Sequence, residues 1–529
     1  MNIKIFSKAC FAVGLLLYSS CGDFLEDYSQ DTAYVRGYSD LDELLLGSAY
    51  MPTGTPQSIG QDDEYIEKPY FYPYIHLMGD EVEQNTVDAT GSSALWPVAE
   101  KYFGWYTFQQ QVGIDATGTE LRKEDTDWKH IYECLSVANM VIASIDAQNS
   151  RNEKDELEKQ RIKGEAYFIR GAYYFILANL YGKAYTPATA QTDLAVPIKL
   201  TEYIEDKIFN RKSVAEVYGQ AEQDLLEAER LLTGTTRKSY YHANKTAAEL
   251  LLSRLYLYKQ DWTKAETYGE KVINAGDNHL QDLNGFSEKF FLNPSNSEII
   301  FTMGNGGLRY TITGNIGDFG VSDNLWNKYD DKDLRKTYYV RVNPDKGFHE
   351  YIKGGEVDDL TNSSLSTVFL LRTSEAYLNV AEAAACAGDN ATAQQMINAL
   401  RRTRFAASDY QDVNLTGNEL IDFIREERAR ELCLEGHRWF DLRRYAVSTV
   451  RPYTKVIRHG FTTFTSGYVY NPATYSYTFG TFPKQTRYYE LEPNDPALTL
   501  TIPREVINFN IGMPNNSRPV RNVVETINY

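Results

Sequence analysis

The segment RARELCLEGHRWFDLRRY, Arg428 to Tyr445, sets carboxylates, guanidiniums and one histidine among Trp439, Phe440, Leu442 and Tyr445. Such density suits proton-transfer chemistry, and equally suits a helix whose charges neutralise one another. If Glu426 to Tyr445 is helical, Glu427 meets Arg430 and Glu435 meets Arg438 at i,i+3, and Glu426 meets Arg430 at i,i+4. An active site leaves one acid or histidine poised without a partner. Only His437 is spare here, and no second His or Ser stands at a telling spacing, so the structural reading is favoured. HExxH, G-x-S-x-G and P-loop patterns are missing, and GNGG at Gly304 lacks the Lys-Ser/Thr of a phosphate cradle. The 7 histidines are scattered and suggest no zinc site. Asp62, Asp63 and Glu64, like Asp330, Asp331 and Asp333, read as solvated loop charges that could also meet a hard cation. No catalytic residue, metal or cofactor is expected, although two carboxylates among 72 acidic residues would suffice for glycoside hydrolysis.

Binding chemistry has more to work with. The 40 tyrosines and 6 tryptophans supply flat apolar faces with polar edges, which suit binding surfaces that stay wet. Trp128, Trp262 and Trp439 lie on helical patterns and read as core. Trp96, Trp105 and Trp326 lie outside regular helices; the first two share SSALWPVAEKYFGWYTF with Tyr102, Phe103 and Tyr106. A net charge of −18 argues against nucleic acid.

These side chains need a frame, and the frame reads as helix. Trp128, Ile131, Leu135, Ala138, Val141, Ile142 and Ile145 form a 3.6-period stripe. Gln160–Tyr181, ended by Gly182, Val214–Leu232 with Leu225, Leu226 and Leu231 inward, and Ala247–Tyr258 continue the pattern. Aligning Ser253 with Ala381 also aligns Asp261 with Asp389 and Ala265 with Ala393, a loose helix–turn–helix repeat of tetratricopeptide type. Met51–Asp125, Asn278–Ser366 and Tyr453–Asn510 are irregular, with SEIIFTM a strand and YVYNPATYSYTFGTF a set of short strands and turns. Helices form the frame and the irregular parts the working face.

The chain opens MNIKIFSKACFAVGLLLYSSC: a basic start, an apolar stretch too short to span a bilayer, then Ser19-Ser20-Cys21. Residues 1–20 read as a lipoprotein signal peptide with Cys21 acylated, although Tyr18 departs from the usual aliphatic residue. Residues 21–30 are an acidic tether and 31–529 one domain. Cys134, Cys386 and Cys433 read as buried free thiols.

EERARELCLEGHRWFDLRRY, KGEAYFIRGAYYFILANLYG, LLRTSEAYLNVAEAAACAGD with INALRRTRF, NKYDDKDLRK and the leader CGDFLED together resemble the SusD/RagB family of outer-membrane nutrient-binding lipoproteins. The resemblance implies a mostly α, SusD-like fold with four tetratricopeptide-like helix pairs as scaffold and long irregular segments with a few short strands. It implies a lipid-anchored protein on the outside of the outer membrane. That protein would bind oligosaccharides or polysaccharides and deliver them to a SusC-like TonB-dependent transporter. A RagB-like peptide binder is the alternative and a glycan-cleaving enzyme a further one. By position in the family, Trp96, Trp105 and Trp326, with Tyr102 and Tyr329 beside them, are the expected ligand surface. Plant glycan, host glycan and peptide are not separated by any motif.

Overall fold

The computed structural model describes residues 35–52, 73–86, 97–120, 127–304, 308, 312, 318–344, 347–354, 365–366, 368–453, 455–472 and 474–529. The leader, Cys21, the tether and Trp96 lie outside the described residues. The frame is helical, as expected. It comprises α1 Tyr38–Ser48, α2 Asp127–Ser144, α3 Glu153–Tyr181, α4 Val214–Leu232, α5 Lys245–Lys259, α6 Trp262–Asn274, α7 Thr373–Ala387, α8 Asn390–Arg402, α9 Gly417–Glu431 and α10 Arg438–Ala446. Among the described residues no helix is long and apolar enough to cross a membrane.

Helix α3 is the hub, with α1, α2 and α4 packed on it. Asn152 caps its start by accepting the Asp155 N–H at 3.1 Å. Two glycines let α4 approach: a Cβ would lie 2.8 Å from Leu232 at Gly164 and 2.9 Å from Leu225 at Gly171. Beside this contact Arg170 donates to both Asp224 oxygens, at 2.9 and 2.7 Å. The inward stripe of α2 forms as read, with Ile142 only partly covered. On α4, Leu225 and Leu231 are buried but Leu226 faces solvent, because the helix presents its seam to α3 on one side and α5 on the other.

The repeat is real in three dimensions. α5 ends on Gln260 at φ 63° and α7 ends on Gly388 at φ 91°, the same aligned position. Asp261 then caps α6 and Asp389 caps α8, while Ala265 and Ala393 are wholly buried. The pairs α5/α6 and α7/α8 stack through α6 against α7. At that seam a Cβ on Gly269 would lie 2.5 Å from Val380.

The charged C-terminal segment is not one helix. α9 stops at Glu431, and Leu434 (φ 58°) and Gly436 (φ 79°) turn the chain before α10. The Glu435–Arg438 pair expected for a continuous helix is therefore corrected. Glu435 pairs with Arg372 at 2.8 Å and with Lys353, and Arg438 with Asp80 at 2.6 Å. Glu426 pairs with Lys328, leaving only Glu427–Arg430 of the three local pairs, at 2.5 Å. At the centre Glu431 accepts from Arg335 at 3.0 Å, Arg372 at 2.6 Å and Arg404 at 2.8 Å on each oxygen. All four side chains are buried, and Glu298 completes the cluster by pairing with Arg372 and Arg404. Burial pushes the Glu431 carboxyl up, but Arg404 and Arg372 outweigh it and hold the acid well below its usual range.

The strands pair antiparallel. They are β1 Val82–Gln84, β2 Ile299–Met303, β3 Phe319–Val321, β4 Val340–Val342, β5 His349–Tyr351, β6 Phe369–Arg372, β7 Ile457–Asn471, β8 Ser476–Leu491 and β9 Glu525–Asn528. They pair β1–β3, β2–β6, β4–β5 and β7–β8–β9, and β2, β3 and β6 are buried throughout. SEIIFTM supplies β2 as read. The Tyr453–Asn510 stretch differs from its reading as short strands: β7 and β8 make one long hairpin, paired from Ile457↔Leu491 to Asn471↔Ser476 with a bulge between Thr463 and Phe464. The three described cysteines are buried free thiols.

Candidate functional site

Two irregular segments far apart in sequence are joined by β1 and β3, which pair Val82 with Val321, Glu83 with Gly320 and Gln84 with Phe319. β5 lies against β3, and the approach requires glycine: a Cβ on Gly320 would sit 2.9 Å from the His349 carbonyl. After β3, Ser322 opens a single helical turn, Asp323–Trp326. Its hydroxyl accepts the Leu325 N–H at 3.1 Å and donates to the Asp80 carbonyl at 2.7 Å.

This arrangement puts Trp326, half-buried, parallel to His349 at 4.3 Å between ring centres. The Lys336 ammonium lies 4.6 Å from the Trp326 ring. Asp323 holds the His349 Nδ1 at 3.1 Å, and its backbone N–H donates to Glu83 at 3.3 Å. Glu83 is exposed on the outer face of β1. Although the residue is exposed, its carboxyl turns toward Asp323 and is partly desolvated there, which pushes it up, and the neighbouring Asp323 charge adds to this. Burial lowers the His349 imidazole, outweighing the pull of Asp323. An indole edge ringed by two carboxylates, an imidazole and an ammonium is suited to the apolar face and hydroxyl rim of a sugar.

The other expected rings are placed differently. Trp105 is 5% exposed and lies on the turn Phe103–Tyr106, stacked on Tyr74 at 5.2 Å and 10° with Tyr102 against its edge at 5.9 Å. Its indole N–H finds no acceptor among the described residues. Tyr102 is equally buried. Tyr329 is buried as well, its hydroxyl donating to the Arg430 carbonyl at 2.7 Å and lying 3.3 Å from Cys433 Sγ. These three rings therefore lie within the body rather than on an open surface. Beside Tyr102 and Trp105, Gly104 lies so close to the Val112 carbonyl that a Cβ would sit 2.1 Å from it, so the turn packs tightly on that segment. Tyr329 belongs to the NKYDDKDLRK motif, which docks on α9 through Arg335.

His437, the spare histidine of the sequence, is buried beside Arg428. Burial, reinforced by Arg254 and Arg428, holds its imidazole far below the usual value, and Arg428 lies 3.3 Å from Nδ1. Sequence reasoning missed His349 and Glu83, which carry no motif and reach Trp326 only through strand pairing. A polar cleft of about 500 Å³ at the ends of α4, α5 and α6 has no aromatic wall.

Residues 305–518 match the model of the SusD family, and residues 79–257 match the family described as starch-binding associating with outer membrane. A SusD-like protein P2 of Formosa agariphila is 25% identical over 370 residues, 60% of this chain and 70% of that one. The starch-binding protein SusD of Bacteroides thetaiotaomicron is 23% identical over 291 residues, 51% of this chain and 45% of that one. Among solved structures, a SusD superfamily protein from B. thetaiotaomicron superposes with a TM-score of 0.65 at 22% identity, covering 91% of this chain and 100% of that one. A putative sugar binding protein from Bacteroides vulgatus gives 0.65 at 23% identity, covering 91% and 98%.

Proposed function

This chain belongs to the SusD family, and from that premise we propose that it is a surface lipoprotein of the outer membrane that binds oligosaccharides or polysaccharides without cleaving them. In this reading Cys21 carries the lipid anchor, and bound glycan passes to a SusC-like TonB-dependent transporter. The observation that carries the reading is the β1–β3 junction, which collects Trp326, His349, Asp323 and Glu83 at the surface from three separate segments. Trp326 and Trp96 are the proposed stacking rings, while Trp105, Tyr102 and Tyr329 support the segments that carry them. The description of one matching family, and the names of relatives in it, support a carbohydrate rather than a peptide ligand.

The test is a glycan array on the mature protein, followed by calorimetry of the wild type and Trp326→Ala against the best oligosaccharide. Loss of a stacked ring, worth about 1–3 kcal/mol, should weaken binding roughly tenfold or more at unchanged melting temperature. The chain length of the sugar should not change on incubation. Recognition of peptides but no glycan, or release of shorter sugars, refutes the proposal.

A further inference from the structure

The outer half of the β7–β8 hairpin carries an aromatic face that no contact among the described residues covers. Tyr468 pairs with Phe479, and Tyr470 with Tyr477, across the two strands. Positions 468 and 470 are two apart, so all four rings share one face. The first pair sits edge to face at 5.1 Å and 68°, the second tilted at 5.2 Å and 49°. The rings nevertheless stay 72%, 53%, 45% and 69% exposed for Tyr468, Phe479, Tyr470 and Tyr477. β9 supports β8 only from Gln485 to Tyr488, so these outer rungs stand clear of it.

We propose that this face is a second binding platform, for an extended neutral polysaccharide chain, in addition to the Trp326 site. The proposal rests on the glycan-binding reading above and deepens it. Three observations carry it. From Phe461 to Pro483 the hairpin has no charged side chain, in a protein of net charge −18, so it matches an uncharged ligand. Ser466 and Thr481 add hydroxyls on the same face, 3.1 Å apart at the foot of the ring rows. The exposed ring area is about 500 Å², taking roughly 200 Å² per aromatic side chain, which falls short of the ~800 Å² per partner of a stable protein interface. Several sugar rings laid in file need no more.

The base of the hairpin ties this arm to the candidate site. Phe461 packs edge-on to Phe103 at 4.7 Å, and His459 stacks on Tyr106 at 4.2 Å. Gln84 of β1 exchanges two hydrogen bonds with the Thr462 backbone, at 2.5 and 3.0 Å. The arm is thus held by the strand whose neighbour Glu83 faces the Trp326 cluster.

Affinity electrophoresis of the full mature chain through gels holding soluble starch, galactomannan or xyloglucan tests this. The variants are Tyr468→Ser with Tyr477→Ser, the ring-preserving Tyr468→Phe with Tyr477→Phe, and Trp326→Ala. The serine pair should lose retardation at least tenfold in the gel that retards the wild type. It should keep the wild-type affinity for a tetrasaccharide of the same sugar and the wild-type melting temperature; the phenylalanine pair should keep retardation. Undiminished retardation of the serine pair overturns the platform and leaves the Trp326 site standing. So does a serine pair that retains polysaccharide but no longer co-purifies with a β-barrel partner, which would make the arm a protein-docking element. A wild type retarded in none of the gels, and silent on the array, overturns both readings.

Discussion

Glu431→Gln puts the structural reading of the charged segment to its hardest test. Glu431 is fully buried and receives hydrogen bonds from Arg335, Arg372 and Arg404. The amide keeps the shape but removes the charge, and it turns one acceptor into a donor aimed at guanidiniums. Breaking a buried ion pair from one side costs about 3–5 kcal/mol, because the three arginines stay buried with one negative charge fewer to share beside Glu298, Glu427 and Glu435. At about 2.1 cal/mol/K per residue, unfolding a chain of this length carries an entropy near 1 kcal/mol/K, so the melting temperature should fall about 3–5 °C. The pH dependence has a definite sign. Glu431 is held well below its ordinary 4.5, so its ionised form stabilises the fold above that value, and the benefit is lost as pH falls through the folded value. The gap between wild type and variant should be widest from about pH 6 to 8 and close toward acid. Differential scanning calorimetry across that range, with glycan affinity measured at 25 °C, gives the answer. A variant melting within about 1 °C of the wild type at neutral pH, or a gap that widens in acid, refutes the reasoning. A stably folded variant that has lost its ligand would move this segment from frame to site.

Trp439→Ala should cost about 3–5 kcal/mol of stability, since the ring is 1% exposed, and chemical denaturation should show it while Trp326→Ala melts normally. Gly269→Ala should destabilise by about 1–3 kcal/mol through overlap with Val380 at the seam of the two repeats, read by the same denaturation. Burial pushes the Glu81 carboxyl up to about 8 against the pull of Arg438, so the wild type loses stability as pH rises from 4.5 through 8. Glu81→Gln, which can still accept the Leu434 N–H, should match the wild type at pH 4 and out-melt it at pH 9. Cys21→Ala should leave the membrane fraction on cell fractionation; a variant that stays membrane-bound and surface-exposed refutes the lipid anchor.

The sequence by itself determined whatever is periodic or local. The stripe from Trp128 to Ile145 specified a helix because only a 3.6-residue repeat aligns those side chains. Asp261 and Asp389 marked helix starts because a carboxylate after a left-handed residue caps the next backbone N–H groups. The SusD-like arrangement of those helices was what the motifs' resemblance to the family implied, and the structure bears it out. Tertiary structure decided the partners of those charges: Glu435 and Arg438, three apart, are claimed by Arg372 and Asp80, because the turn at Leu434 and Gly436 breaks the helix between them. It also decided which rings face water. Trp105 and Trp326 both lie outside the long helices, yet one is buried against Tyr74 and Tyr102 while the β1–β3 pairing leaves the other half-open beside His349. The hairpin made the same point in reverse. Its alternation of aromatic and polar residues was legible, but pairing of Tyr468 with Phe479 and Tyr470 with Tyr477 depends on register, which in a hairpin follows the geometry of the turn and not the alternation itself.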